Sequence, residues 1–170
     1  MDHQQRAIDL VSSRFGSAFL GEAAFRDQRW AIVDRGSNAA ILTALRDELG
    51  FAFLMDLTCV DWLGWDAEGL EKPPERFSVV YLLYNHVESC YFRLKVFVPE
   101  SDPEIPTVSH LWKCASWAER EVWDQYGLRF TNLADHRRIL NPIDYTGHPL
   151  RKDYPLTGRG ERSNFPQYVK

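Results

Sequence analysis

The stretch from Trp117 to Asp124, within a predicted helix, holds the densest group of side chains that could do chemistry. On a helix, Glu121 and Asp124 share a face, and Arg120 can pair with Asp124 four positions further on. Paired carboxylates can serve acid–base catalysis, but no histidine, lysine or glycine-rich loop accompanies this pair. We therefore favour a structural interpretation, in which the aromatic face of the helix packs inward and its charges bind arginines such as Arg137 and Arg138.

The other candidates for chemistry match no catalytic or metal-binding pattern. The sequence has no GxSxG, HExxH or CxxC motif, and its 5 histidines lack the spacing of metal ligands. Asp61, Asp66 and Glu68 lie close together without the spacing of a calcium loop, which predicts a solvated loop. Each cysteine lies in an apolar stretch, so we expect buried free thiols at Cys59, Cys90 and Cys114.

The elements that position these residues indicate an α+β fold. Helical periodicity and capping residues predict helices over about 3–15, 37–50 and 107–126. Alternating or continuous apolar residues predict strands over about 19–26, 29–34 and 51–61, followed by a hairpin over about 77–98. This order predicts a mostly antiparallel sheet with helices packed on one face, followed by a long extended C-terminal tail.

The sequence divides into a globular domain, residues 1–126, and an extended stretch, residues 127–170, which we call the C-terminal segment. Prolines interrupt any period in this segment, yet it contains many apolar residues. Residues 137–170 carry a net charge of +4, whereas the rest of the chain carries −8. The backbone entropy lost on ordering such a segment exceeds what its apolar side chains return. We therefore expect it to be ordered against another subunit.

Composition excludes several classes of protein. The net charge of −4 and a pI near 5.7 argue against a nucleic-acid binder, although the basic C-terminal segment leaves this as a distant alternative. No apolar run approaches the roughly 20 residues of a membrane helix. The N-terminus also lacks the basic and then apolar pattern of a secretory signal, so we expect neither an integral membrane protein nor a secreted one.

Two ordered motifs resemble those of a known family. Glu119-Arg120-Glu121, Asp124 and Gly127, followed by Arg137-Arg138-Ile139-Leu140, resemble the signature of the thirty-kilodalton subunit of respiratory complex I, which in bacteria is the C subunit of NADH-quinone oxidoreductase. The run Gly147-His148-Pro149-Leu150-Arg151-Lys152-Asp153-Tyr154-Pro155-Leu156 matches the second signature. Asp56-Leu57-Thr58, Val60-Asp61 and Arg76-Phe77 with Tyr81 also match, so the similarity covers about 51–156. The chain departs from the family at Asn132-Leu133-Ala134, where Gly-His-Pro is usual.

The resemblance implies a subunit of the hydrophilic arm of a proton-translocating NADH-quinone oxidoreductase. Such a subunit has no cofactor and no catalytic residue of its own, while FMN, iron–sulfur clusters and quinone bind to partner subunits. Its neighbours would be the quinone-site subunit and the iron–sulfur subunits, and its work would be assembly and positioning. The residues implied at the subunit interface are Glu119, Arg120, Glu121, Asp124, Arg137, Arg138, Gly147, His148, Pro149, Leu150, Arg151, Lys152, Asp153, Tyr154 and Pro155.

The same resemblance implies a location on the cytoplasmic face of a bacterial inner membrane, reached through the complex and without a membrane span. A second interpretation keeps the fold and changes the assembly, because related membrane-bound hydrogenases and quinone oxidoreductases with other electron donors carry similar subunits. Nothing in this chain reports the donor, since donor binding would lie on other polypeptides.

Overall fold

The computed structural model describes residues 3–66 and 72–160. Its elements follow the order helix, two strands, helix, three strands, short strand, helix and short strand. The helices are α1 (His3–Arg14), α2 (Asn38–Leu49) and α3 (Ala115–Tyr126). The strands are β1 (Phe19–Phe25), β2 (Gln28–Val33), β3 (Phe53–Asp61), β4 (Phe77–Asn85), β5 (Cys90–Val98), β6 (Glu104–Pro106) and β7 (Arg129–Thr131).

The main sheet has 5 strands in the order β1-β2-β5-β4-β3. Every neighbouring pair in it is antiparallel except β2 and β5, which run parallel. The short strands β6 and β7 form a separate parallel pair. The predicted α+β fold with a mostly antiparallel sheet is confirmed, while neither parallel pairing was predicted.

One face of the sheet forms the core with the helices. Alternate residues of the β4–β5 hairpin are fully buried, among them Tyr81 and Leu94, as the period of 2 predicts. The same core contains Val11 of α1, Leu45 of α2 and Val122 of α3. The helices therefore bury their apolar sides on this single face.

Helix α3 begins later than its sequence pattern suggests. Residues 107–114 form successive turns, in which the backbone N–H of Trp112 donates to the carbonyl of Val108. The buried Glu119 side chain accepts the backbone N–H of Val108 at 2.7 Å and holds it outside the helix. A side-chain anchor thus replaces the helical bonding expected of this stretch.

The cysteines differ in burial. Cys59 is buried in β3 as expected, but Cys90 is half-buried, and Cys114 is exposed immediately before α3. The prediction of a buried thiol is therefore wrong for Cys114. This residue precedes the first helical turn, outside the apolar stripe that faces the core.

The described part of the C-terminal segment, 127–160, lies along the body of the chain. Phe130 of β7 is fully buried in the core, and Tyr145 is also buried. The boundary after residue 126 remains a prediction, and the end of the segment, 161–170, lies outside the described residues. None of the helices in the described ranges is long and apolar enough to span a membrane.

Candidate subunit-interface site

The C-terminal end of α3 is completed by residues far along the sequence. A helix leaves its last carbonyl groups without partners inside the helix. Here the carbonyl of Asp124 lies 3.0 Å from Nδ1 of His148, and that of Gln125 accepts the N–H of Leu150 at 3.1 Å. Nε of Arg151 donates to the carbonyl of Tyr126 at 2.5 Å. The C-terminal segment therefore forms the cap of this helix.

Gly127 makes this close packing possible. Its φ of +79° ends α3 in the left-handed region, and its N–H donates to the carbonyl of Trp123 at 2.8 Å. A β-carbon at Gly127 would lie 2.7 Å from both Nε2 of His148 and Nη2 of Arg151. The glycine thus serves both the turn and the approach of the segment.

Asp124 is the anchor for the first half of the segment. Its buried carboxylate accepts the backbone N–H groups of Ile139, Leu140 and Asn141 at 3.1, 2.9 and 2.9 Å. It also forms an ion pair with Arg138, whose side chain is 7% exposed. Burial opposes ionisation, but the hydrogen bonds from Asn141, Leu140 and Arg138 outweigh it and lower the pKa of Asp124 to about 2.

The arginines of the first motif bind backbone carbonyls as well as carboxylates. Arg120 donates to the carbonyls of Arg137 and Arg138 at 2.9 and 3.2 Å, and lies 3.7 Å from a carboxylate oxygen of Asp135. The predicted ion pair of Arg120 with Asp124 is absent, because Arg138 occupies that carboxylate. Arg137 pairs instead with Asp135 at the surface, at 2.8 Å.

The glutamates of the motif differ from each other. Glu119 is buried and accepts the hydroxyl of Thr107 and the N–H of Val108, at 2.5 and 2.7 Å. Burial raises its pKa to about 7, although these two hydrogen bonds act in the opposite direction. Glu121 is exposed on α3. It does not line a common site with the buried Asp124.

A second anchor, which the sequence interpretation missed, holds residues 152–153. Arg76 binds Asp61 at 2.9 Å and Asp153 at 2.7 Å, and it also pairs with Glu100. The N–H of Lys152 donates to the same Asp61 carboxylate at 2.9 Å. The prediction that Asp61 lies in a solvated loop is therefore wrong, because it ends β3 on the core face and is buried.

The remaining motif residues shape the segment between the anchors. Gly147 is buried, and Pro149 is half-buried. The hydroxyl of Tyr154 lies 2.5 Å from that of Tyr145. Pro155 is exposed, and its carbonyl accepts the N–H of Gly158 at 2.9 Å in a turn. At the departure from the family motif, Asn132 takes φ +65°, which asparagine tolerates better than most residues.

Large apolar side chains of the anchored segment point to solvent. Ile143 is 84% exposed, and three leucines share this orientation, at positions 140, 150 and 156. The backbone and the charged side chains of the segment face the body, whereas these apolar groups face outward. This distribution is typical of a surface that a partner covers.

Two acidic residues of the first motif, Glu119 and Asp124, are engaged within the chain. In ranges 3–66 and 72–160, no group of three or more histidine, cysteine or acidic side chains is placed to hold a metal ion. Asp124 binds Arg138 and three backbone N–H groups, and Glu119 binds the hydroxyl of Thr107 and the N–H of Val108. Their arrangement fixes the course of the chain.

Comparison with known proteins identifies the family. Residues 31–160 match the family model described as the respiratory-chain NADH dehydrogenase, 30 Kd subunit. The chain belongs to this family. The C subunit of NADH-quinone oxidoreductase from Geobacter sulfurreducens is 40% identical over 158 residues, which cover 93% of each chain. The corresponding protein of Thermus thermophilus is 45% identical over 113 residues, covering 64% of this chain and 53% of that protein.

Two solved structures share the fold of this family member. A trypsin-resistant fragment of Nqo5 superposes with a TM-score of 0.64 and 29% identity, covering 78% of this chain and 98% of the fragment. A chain of an archaeal membrane-bound sulfane sulfur reductase superposes with a TM-score of 0.73 and 19% identity, covering 98% of this chain and 94% of that chain. The second likeness shows a shared fold. The resemblance found from the motifs is thereby confirmed.

Proposed function

We propose that this chain is a subunit of the hydrophilic arm of a proton-translocating NADH-quinone oxidoreductase, and that it binds no cofactor of its own. Its role is to assemble and position the quinone-site subunit and the iron–sulfur subunits, while FMN, the clusters and quinone bind to those partners. Electron tunnelling depends on fixed distances, so a scaffold affects turnover without touching the chemistry. The complex attaches the chain to the cytoplasmic face of the bacterial inner membrane.

One observation carries this proposal. The C-terminal segment is fixed to the body by buried polar anchors, chiefly Asp124 and Arg76, while Ile143 and its apolar neighbours remain outward. An anchored backbone loses little further entropy on binding, so it presents these side chains at low cost. The segment is also basic, which favours acidic partner surfaces.

The names of the relatives give the enzyme to which the subunit belongs. Proteins that align with almost the whole chain are named as the C subunit of NADH-quinone oxidoreductase. These names favour an NADH-oxidising complex over a hydrogenase with an equivalent subunit. The interface residues expected from the motifs are then of two kinds: Asp124, Arg138, His148 and Arg151 hold the segment in place, and Leu150 faces the partner.

Purification of the tagged chain from membranes of its own host tests the proposal. We expect it to bring down flavin- and iron–sulfur-containing polypeptides in a preparation that reduces quinone with NADH. A nickel–iron hydrogenase companion without NADH oxidation would favour the alternative assembly. Recovery of the chain alone from the soluble fraction would overturn the scaffold role.

A further inference from the structure

The main sheet has a second face that its helices do not cover. Residues of the central strands that alternate with the core residues point to this face, which we call the open face. The pairing of the strands sets Lys95 beside Ile32 on one side and beside Val80 on the other, with Thr58 next in the row. In the parts of the chain that the structure describes, α1, α2 and α3 all pack on the opposite side.

The open face carries large apolar side chains as well as charged ones. Antiparallel sheets with one solvated face normally place polar residues there. Here the lining of a groove of about 360 Å³ mixes apolar and polar side chains, namely Trp30, Val60, Val80 and Leu82 with Asp56, Thr58, Arg93 and Lys95. Such a lining favours contact with another surface.

Lys95 is a cation held among aromatic rings on the open face. Its Nζ lies 5.4 Å from the ring centre of Trp30, 5.3 Å from that of Trp62 and 5.9 Å from that of Phe97. Among the described residues, no aspartate or glutamate forms an ion pair with it. Burial, assisted by nearby Arg93, lowers the pKa of Lys95. Aromatic rings attract a cation but leave its charge without a counterion.

The charge pattern decides what fits the open face. Arg93 adds a second cation two residues from Lys95 on the same strand, and Asp56 lies two strands away from Arg93 in the same row. The residues that line the groove thus include two cations and one carboxylate, which leaves a net positive charge. A second copy packed on this face would bring up a groove of the same net positive charge. The chain's own residues 161–170 carry two basic groups against one acidic group. An acidic group from another protein therefore complements the charge of the open face better than a second copy or residues 161–170 would.

We propose that the open face binds a segment of a partner subunit that presents a carboxylate flanked by apolar side chains, with the carboxylate paired to Lys95. This inference rests on the proposed function, since the partner is a subunit of the same complex. Pairing inside the aromatic ring cluster excludes water, and ion pairs strengthen when water is excluded. The contact gives the subunit a second point of attachment.

A photo-crosslinking residue at Thr58, in the tagged chain within the assembled complex, identifies the occupant directly. Thr58 is exposed and lies in the same row as Lys95. We expect a crosslink to a peptide of another subunit that contains aspartate or glutamate. A crosslink to this chain, to a second copy, or to nothing in the assembled complex would overturn the proposal.

Charge reversal then tests the role of Lys95. We expect Lys95→Glu to lower the yield of complex about tenfold or more, because like charges in an interface cost several kcal/mol. The matched reversal Lys113→Glu, at an exposed lysine before α3, should leave the yield unchanged. Changing the crosslinked carboxylate to lysine should restore assembly of the Lys95→Glu variant.

The outcomes separate the two proposals. If the unsubstituted chain does not co-purify with other subunits, the proposed function fails and this inference fails with it. If it co-purifies while the Lys95→Glu variant assembles at the normal yield, only the open-face contact is overturned. Urea unfolding of the isolated Lys95→Glu variant shows whether it folds, and the Thr58 crosslink decides the question even if it does not.

Discussion

Gly127 and His148 are in contact so close that no β-carbon fits between them, since one built on Gly127 would lie 2.7 Å from Nε2 of His148. The end of α3 and the motif that caps it are therefore matched in shape as well as in hydrogen bonding. A residue at a helix end is usually replaceable at the cost of its φ alone. Here the neighbouring imidazole raises that cost.

We predict that Gly127→Ala releases the cap. The control is Gly50→Ala, at the C-terminal end of α2, where φ is +73° and the nearest atom to a β-carbon is the amide nitrogen of Asn85 at 3.1 Å. The left-handed conformation costs roughly 1–2 kcal/mol in both variants. Urea unfolding should show a larger loss for Gly127→Ala, with faster amide exchange at Leu150 and Arg151. Equal losses would contradict the close packing.

We predict that Asp124→Asn destabilises the chain strongly. It leaves the buried Arg138 without its counterion, and losing one partner of a buried pair costs about 3–5 kcal/mol. Asp135→Asn removes an acid from an exposed pair and should have little effect, because solvent screens such pairs. Chemical denaturation of both variants at pH 7 measures the difference. Similar losses for the two would show that burial does not govern this anchor.

Glu119 gives the stability of the chain a pH dependence of defined sign. Its pKa is about 7 in the folded chain against an ordinary value of 4.5, so the folded state holds the proton more tightly. The contribution is complete below pH 4.5 and is lost as pH rises through 7. Between pH 4.5 and 7, the free energy of unfolding of the unsubstituted chain should fall by roughly 3 kcal/mol relative to that of the Glu119→Gln variant. If the difference in free energy of unfolding between the two proteins did not change with pH, the raised pKa of Glu119 would be contradicted.

The exposed side chains of the C-terminal segment should matter for assembly alone. We predict that Ile143→Asp lowers the yield of purified complex and leaves the unfolding of the isolated chain unchanged, because Ile143 is 84% exposed. Val87→Asp is the control, at a residue 76% exposed in the β4–β5 turn. Normal assembly of the Ile143→Asp variant would weigh against the segment as an interface.

Local sequence patterns predicted the elements well where one period dominated. The alternation in β4 and β5 and the glycine that ends α2, Gly50, placed these elements within a few residues. The pairing of β2 with β5 could not be predicted, because the two strands are distant in sequence and no local signal joins them. Likewise, Glu119 shortens α3 through a contact that periodicity does not register.

The candidate site was predicted through its motifs more than through its chemistry. The arginines bound by the helix were expected, and Arg138 does bind Asp124. Polar anchors, which an estimate from apolar burial alone leaves out, hold the described part of the segment along the body. That the segment also packs against another subunit remains a prediction. Asp61 and Arg76 stood in matched family segments, and this signal could have identified the second anchor.

The order of synthesis gives the cap of α3 a further meaning. Chains grow from the N-terminus, so the carbonyls of Gln125 and Tyr126 lack these partners until Leu150 and Arg151 leave the ribosome. A nascent or prematurely stopped chain lacking them has a helix with an unfinished end. The cap of α3 can therefore form only after the ribosome has translated the second family motif, which contains Leu150 and Arg151.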